Sequence, residues 1–162
     1  MKYIAHRGLF RGPDKEKENH PDQIKLALRK RFDCEVDVWS IKDEWFLGHD
    51  APTYKVDEAF ISQQGLWLHC KNLDALYKLS LDGQKYKFFW HQEDDFTMTS
   101  NGFIWTYPGK HLTNNSIAVM PERNPEYWNY VKYLDIYGVC TDYVEKFIAE
   151  TSTMSFGATK KL

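Results

Sequence analysis

The chain has 162 residues, 16% of them aromatic, and a formal net charge of −2. That length predicts a single domain able to bury a core. The balanced charge, with aromatics not interleaved with Lys or Arg, argues against nucleic acid and anionic lipid as partners, and no apolar run is long enough for membrane insertion.

Tyr3 to His6 reads as a short strand. Pro21 to Phe32 reads as a helix, with Asn19 as its cap, Pro21 in the first turn, and Ile24, Ala27, Leu28 and Phe32 on its apolar side. The basic run Lys25 to Arg31 is then the solvated side of that helix. Cys34 to Trp39 is a strand, and Trp45 to Gly48 a short extended piece. Leu66 to Lys71 is a strand, and Asn72 caps a helix whose face is marked by Leu73, Leu76 and Tyr77. Lys87 to His91, Phe103 to Thr106 and Ser116 to Met120 read as strands. Asn124-Pro125 opens a helix, with Tyr127, Tyr130, Val131 and Leu134 at i, i+3, i+4 and i+7. Tyr137 to Thr141 is the last strand. Asp142 and Glu145 have capping-box spacing ahead of Phe147 and Ile148. Residues 1–150 thus form one domain, followed by a C-terminal tail, 151–162, without periodicity.

Cys34, Cys70 and Cys140 are far apart and form no CxxC pair, which fits reduced, buried thiols. No signal pattern follows Met1, so the expected compartment is cytoplasmic.

Short strands alternating with helices or loops indicate an α/β fold. Right-handed crossovers curl a parallel sheet. A full (β/α) barrel takes about 250 residues, so the expectation is a compact TIM-type (β/α) barrel with shortened or missing helices. An open doubly wound sheet would want a glycine-rich first turn, where the chain has only His6-Arg7-Gly8-Leu9-Phe10-Arg11-Gly12.

Residues two apart on a strand share a face, so Glu35 and Asp37 project together from an apolar run. They repel unless something positive lies between them. A divalent cation meets that need; a solvated acidic face is the alternative. His6 ends the first strand, before Arg7-Gly8, where a parallel fold carries its site. Imidazole moves protons near neutral pH and guanidinium grips phosphate, although a hydrogen-bonded structural histidine has the same sequence. Gly48-His49-Asp50 repeats the pattern, with Asp50 either orienting His49 or capping a turn. His69 and Lys71 share a face with Trp67. Lys71 there either binds developing negative charge or reaches solvent. Glu93, Asp94 and Asp95 are loop acids after a strand, and Asp142 reads as a helix cap. Trp39, Trp67 and Trp105 are candidates for a pocket mouth or for core.

Taken in order, Ile4-Ala5-His6-Arg7-Gly8, Glu18-Asn19, Cys34-Glu35-Val36-Asp37-Val38 and Leu47-Gly48-His49-Asp50 resemble the glycerophosphodiester phosphodiesterase family. That family belongs to the larger group that includes phosphatidylinositol phospholipase C and the sphingomyelinase D-type enzymes. Leu66 to Lys71 and Gly138 to Tyr143 follow in order. The resemblance implies a TIM-type barrel and metal-assisted cleavage of a phosphodiester. It makes His6 and His49 the acid–base pair, Glu35 and Asp37 metal ligands, Arg7 a phosphate contact, and Lys71 the family's lysine. It sets Glu18 beside the site. The family's third metal carboxylate, two residues before the lysine, is His69 here. The expected cation is Mg²⁺ or Ca²⁺, with Mn²⁺ or Zn²⁺ the alternative if histidine is the third ligand; otherwise the third oxygen comes from Glu93, Asp94 or Glu122. The expected function is metal-dependent cleavage of a small soluble phosphodiester, glycerophosphodiester-like or sugar-linked. A phosphate-binding barrel without turnover, and a sphingomyelinase D-type lyase forming a cyclic phosphate, are the alternatives.

Overall fold

Apolar residues alternate at a spacing of two along most of the short runs, and the protein gathers those runs into one curled sheet. The structure is a computed structural model that describes residues 1–157. Its parallel strands are β1 (Lys2–Ala5), β2 (Asp33–Ile41), β5 (Leu66–Cys70), β6 (Phe88–Phe89), β8 (Ile104–Thr106), β9 (Ser116–Val119) and β10 (Gly138–Thr141). They lie in the order β6-β5-β2-β1-β10-β9-β8. Strand β2 is the hub. Its first half pairs with β1 and β5, and its second half turns back into the antiparallel β3 (Glu44–Leu47) and β4 (Tyr54–Val56). The β2–β3 turn is Lys42-Asp43, both with positive φ (48° and 67°), the twist that a two-residue hairpin needs.

The alternating (β/α) barrel expected from the sequence does not form. The segment after β6 returns as β7 (Phe96–Met98), antiparallel to β8, and β6 pairs with β5 alone. The β8–β9 connection carries no helix, and the β2–β5 connection carries the β3–β4 hairpin plus one short helix, α2 (Glu58–Ile61). Without a crossover helix at each step, the sheet curls into a half-barrel and does not complete a ring of strand–helix units. Across the gap between β6 and β8, the rings of Phe89 and Trp105 stack at 4.5 Å.

The curl gives the sheet two buried faces. Ile4, Trp67, Phe89, Trp105, Ile117 and Cys140 fill the concave side. Val36, Val38, Leu66 and Leu68 back onto α1 (Pro21–Arg29) and α3 (Leu73–Ser80). α1 is capped by His20, whose ring accepts the Asp22 N–H at 3.2 Å. The expected cap, Asn19, is instead turned inward and wholly buried. Asn72 caps α3 as the sequence indicates. The buried side of α3 is Ala75 and Leu79, however, and Leu73 and Tyr77 face solvent. Both pairs have the same spacing, and the sheet takes the one with the smaller residue against it.

α4 (Pro125–Val131) and α5 (Val144–Gly157) close the far side. The helix α5 runs into the expected tail as far as Gly157, and residues 158–162 lie outside the described residues. Phe147 of α5 is fully buried between Trp128, at 5.0 Å edge-to-face, and Tyr3, at 6.4 Å. Among the described residues no helix is long and apolar enough to cross a membrane. Phe147→Ala should therefore lower the unfolding free energy by about 3–5 kcal/mol, measured by urea titration. A loss under about 1 kcal/mol would mean that α5 is not packed as described.

Candidate functional site

The carboxyl ends of β1, β2, β5 and β10 open on one side of the half-barrel. β1 runs directly into a 3₁₀ turn, His6–Gly8, in which Arg7 is left-handed (φ 51°, ψ 28°). That conformation turns the Arg7 backbone N–H onto Glu35 Oε2 at 3.0 Å. Its guanidinium donates to Glu18 Oε2 at 2.7 Å and lies 3.2 Å from Asp37 Oδ2. Gly8 follows with φ +80°, and a Cβ there would sit 3.0 Å from Ile24.

Glu35 and Asp37 are both buried on the concave face. Asn19 holds Asp37 at two points: its Nδ2 donates to Asp37 Oδ2 at 2.8 Å, and its Oδ1 accepts the Asp37 N–H at 2.9 Å. His69, the residue facing Asp37 across the β2–β5 ladder, stacks on Phe89 at 5.0 Å. His69 Nε2 donates to the His91 carbonyl at 2.8 Å. The other nitrogen, Nδ1, thus points at the carboxylates, 3.0 Å from Asp37 Oδ1 and 3.6 Å from Glu35 Oε1. Lys71 Nζ lies 3.5 Å from the same Asp37 oxygen.

Burial alone would lower the His69 pKa; hydrogen bonding and attraction to Asp37 and Glu35 outweigh it and push the pKa up to about 9. Burial alone would raise the Asp37 pKa, but His69, Arg7 and Lys71 hold it well below the usual carboxylate range. Asp37 Oδ1 is buried with no well-aligned hydrogen bond. One ligand atom each from Glu35, Asp37 and His69 falls within a 4.8 Å cluster. Two hard oxygens and an imidazole nitrogen with its tautomer set from behind fit a divalent cation. Glu93, Asp94 and Asp95 stay on an exposed loop outside this cluster.

His6 and His49 sit in different surroundings. His6 Nδ1 is 2.9 Å from Asp142 Oδ1, and its Nε2 is 4.0 Å from Glu35 Oε2. Burial would lower the His6 pKa, but Asp142 and Glu35 hold it above the ordinary value. Asp142 is fixed in turn, its N–H donating to Glu122 Oε1 at 2.9 Å. His49 Nδ1 is 2.7 Å from Asp50 Oδ1, but the Asp50 side chain is 93% exposed. Gly48 sets the loop: its φ is +146°, and a Cβ would come within 2.1 Å of the Ala51 carbonyl. Trp39 Nε1 donates to the Gly48 carbonyl at 2.6 Å.

These groups border a cavity of about 320 Å³, lined by His6, Arg7, Glu35, His49, His69 and Lys71. Its outer wall includes His91, Trp105, Tyr107 and Arg123. Asp37 lies beneath it, Glu18 is reached through Arg7, and Asp50 through His49. Of the three tryptophans considered for the mouth, Trp105 lines it, Trp67 is core, and Trp39 supports Gly48. A hollow of about 440 Å³ at the opposite strand ends includes Asp33 but no histidine. Sequence reasoning missed the positioning roles of Asn19, Asp142 and Glu122. Their signals were the Glu18-Asn19 dipeptide and the strand-end placement of Asp142.

Comparison with family models, curated proteins and solved structures finds no match to this chain.

Removing the negative charge behind His6 should destabilise its imidazolium. In Asp142→Asn, treated with EDTA, the His6 pKa read by NMR of the ring should fall toward or below about 6.5. An unchanged value would mean that Asp142 does not set the state of His6.

Proposed function

We propose that this protein is a metal-dependent phosphodiesterase that cleaves a small soluble phosphodiester, with His6 and His49 as its acid–base pair. The observation that carries this reading is the meeting of two carboxylate-oriented histidines on one cavity, over a buried Glu35–Asp37–His69 donor set. The ordered resemblance to glycerophosphodiester phosphodiesterases, carried by the same residues, agrees with it.

A cation held by Glu35, Asp37 and His69 would neutralise charge on a non-bridging phosphate oxygen. With nitrogen as the third donor, Mn²⁺ or Zn²⁺ suits the set better than Mg²⁺ or Ca²⁺. Arg7 and Lys71 bring positive charge to the other phosphate oxygens while staying tied to Glu18 and Asp37. His6 takes the proton-donor role, because Asp142 and Glu35 favour its charged form and keep a proton on it. Its Nε2 gives a proton to the leaving oxygen. His49, nearer solvent, takes a proton from the attacking oxygen. As the attacking oxygen bonds to phosphorus and the leaving P–O bond breaks, His49 gains one proton and His6 loses one, and proton exchange with solvent resets both rings.

The test is hydrolysis of bis(p-nitrophenyl) phosphate with Mg²⁺, Ca²⁺, Mn²⁺, Zn²⁺ or EDTA. Turnover should need metal and be highest with Mn²⁺ or Zn²⁺. His6→Ala and His49→Ala should each lose about 10²–10⁴ in kcat. Glu35→Gln should lose metal binding by calorimetry. Because His6 must carry its proton, kcat should fall as pH rises through its raised pKa. Full activity in EDTA, or near-full activity in His6→Ala, would falsify the proposal. Diester binding without turnover under every metal would make this a binding protein.

A further inference from the structure

The hollow of about 440 Å³ at the opposite strand ends lies apart from the reacting groups. Four connections build its wall. Lys2 opens β1, Arg31 and Phe32 lead into β2, Gln64 and Gly65 lead into β5, and Lys85 to Lys87 lead into β6. Arg31, Gln64 and Lys85 are exposed, so the hollow opens to solvent. Arg31 holds a left-handed backbone (φ 66°) one residue past Lys30, the C-cap of α1. Glycine is the usual occupant of that position, and an arginine there carries a backbone cost.

Positive charge is in excess here. Asp33 is the only carboxylate that lines the hollow among the described residues, and it is buried. Its Oδ1 lies 3.3 Å from Lys2 Nζ. Its Oδ2 accepts Trp67 Nε1 at 3.0 Å and lies 3.7 Å from Lys87 Nζ. Lys85 is matched outside the hollow by Glu58, at 2.7 Å. Arg31 has no carboxylate partner among the described residues. Lys2, Arg31 and Lys87 therefore share one carboxylate, and two positive charges are left over. Lys87 also lies over the Trp67 ring at 4.8 Å, a contact that places its ammonium without cancelling the charge.

We infer that this hollow is a binding site for a dianionic phosphoryl group, free or carried on a small monoester. Its two surplus charges match that of the dianion. Arg31 offers a planar fork to two phosphoryl oxygens, and Lys2 and Lys87, held together by Asp33, add point charge beside it. Leu28 and Phe32 supply apolar surface next to the cations, where the organic part of a monoester packs. No histidine lines the hollow and its carboxylate is already paired, so the site binds its ligand and does not cleave it. The inference stands apart from the phosphodiesterase reading, because none of these residues borders the reaction cavity.

The test is an amide NMR titration of the full, metal-stripped chain with inorganic phosphate and with phenyl phosphate. It is run at about pH 8, where both are dianions, and at matched ionic strength in chloride. Saturable shifts should appear at Arg31, Gly65 and Lys87. Tighter binding of phenyl phosphate makes a monoester the ligand, and equal binding makes free phosphate sufficient. Arg31→Gly and Lys87→Gln should each weaken binding about tenfold, the value of one charge-assisted contact. Arg31→Gly should also unfold at an equal or higher urea concentration, since glycine suits its backbone. That result separates a role in binding from a role in ending the helix. Shifts that chloride alone reproduces would mean a diffuse basic surface. Shifts confined to Arg7 and His49 would put the anion in the reaction cavity. Either result, or affinity unchanged in both variants, would overturn the site.

Discussion

Two buried carboxylates side by side on one strand are the constraint on which the rest of this structure turns. Glu35 and Asp37 share the concave face of β2 and are almost wholly removed from water. An unpaired buried carboxylate costs several kcal/mol, so the fold has to bring compensating groups to them. It does so from three directions. Arg7 comes from the turn after β1, Asn19 from the loop before α1, and His69 and Lys71 from the end of β5. Two of these residues, Arg7 and Asn19, hold positive φ to do it. Backbone strain at such points is kept only where the surroundings over-determine it, and here each strained residue has its polar group on a buried carboxylate.

This requirement explains why a half-barrel is enough. The site draws on the carboxyl ends of β1, β2, β5 and β10, plus the hairpin off β2. Those strands are adjacent in the sheet. On the far side the chain stacks Phe89 on Trp105 across the gap where β6 and β8 share no ladder.

The sequence made the near half of this site legible and hid the far half, for a physical reason. Period-two alternation places Glu35 and Asp37 on one face with no other information. The strand-end positions of His6 and His49 follow from the same local signals. The His6–Asp142 bond does not. It exists because β1 pairs with β10, setting Ile4 beside Cys140, and the two residues are 136 apart in the chain. The orientation of His69 likewise depends on a backbone carbonyl delivered by the β5–β6 ladder. Backbone acceptors carry no residue-type signature. The barrel expectation failed where the elements are shortest. A two-residue β6 and a three-residue β7 leave too little pattern to tell a crossover from a return. In α3 the periodicity points to Leu73, Leu76 and Tyr77, whereas the sheet buries Ala75 and Leu79 at the same spacing and only Leu76 of the expected face packs partly against the core.

The asymmetry between the two histidines is the last consequence of the buried pair. Equal imidazoles become unequal when one faces a buried carboxylate and the other an exposed one. Asp142 is largely shielded from water and anchored by Glu122, and its charge helps hold the His6 pKa up against burial. Asp50 is in solvent, where water screens its charge, and it holds the His49 ring through Nδ1. Glu35, 4.0 Å from His6 Nε2, adds to the difference because it must already lie there to serve the floor of the site. The same carboxylate thus shapes both halves of the cavity. It needs a positive partner below, and it favours a proton on the ring above. On the proposed reading, the different settings of His6 and His49 divide the roles of proton donor and proton acceptor between them.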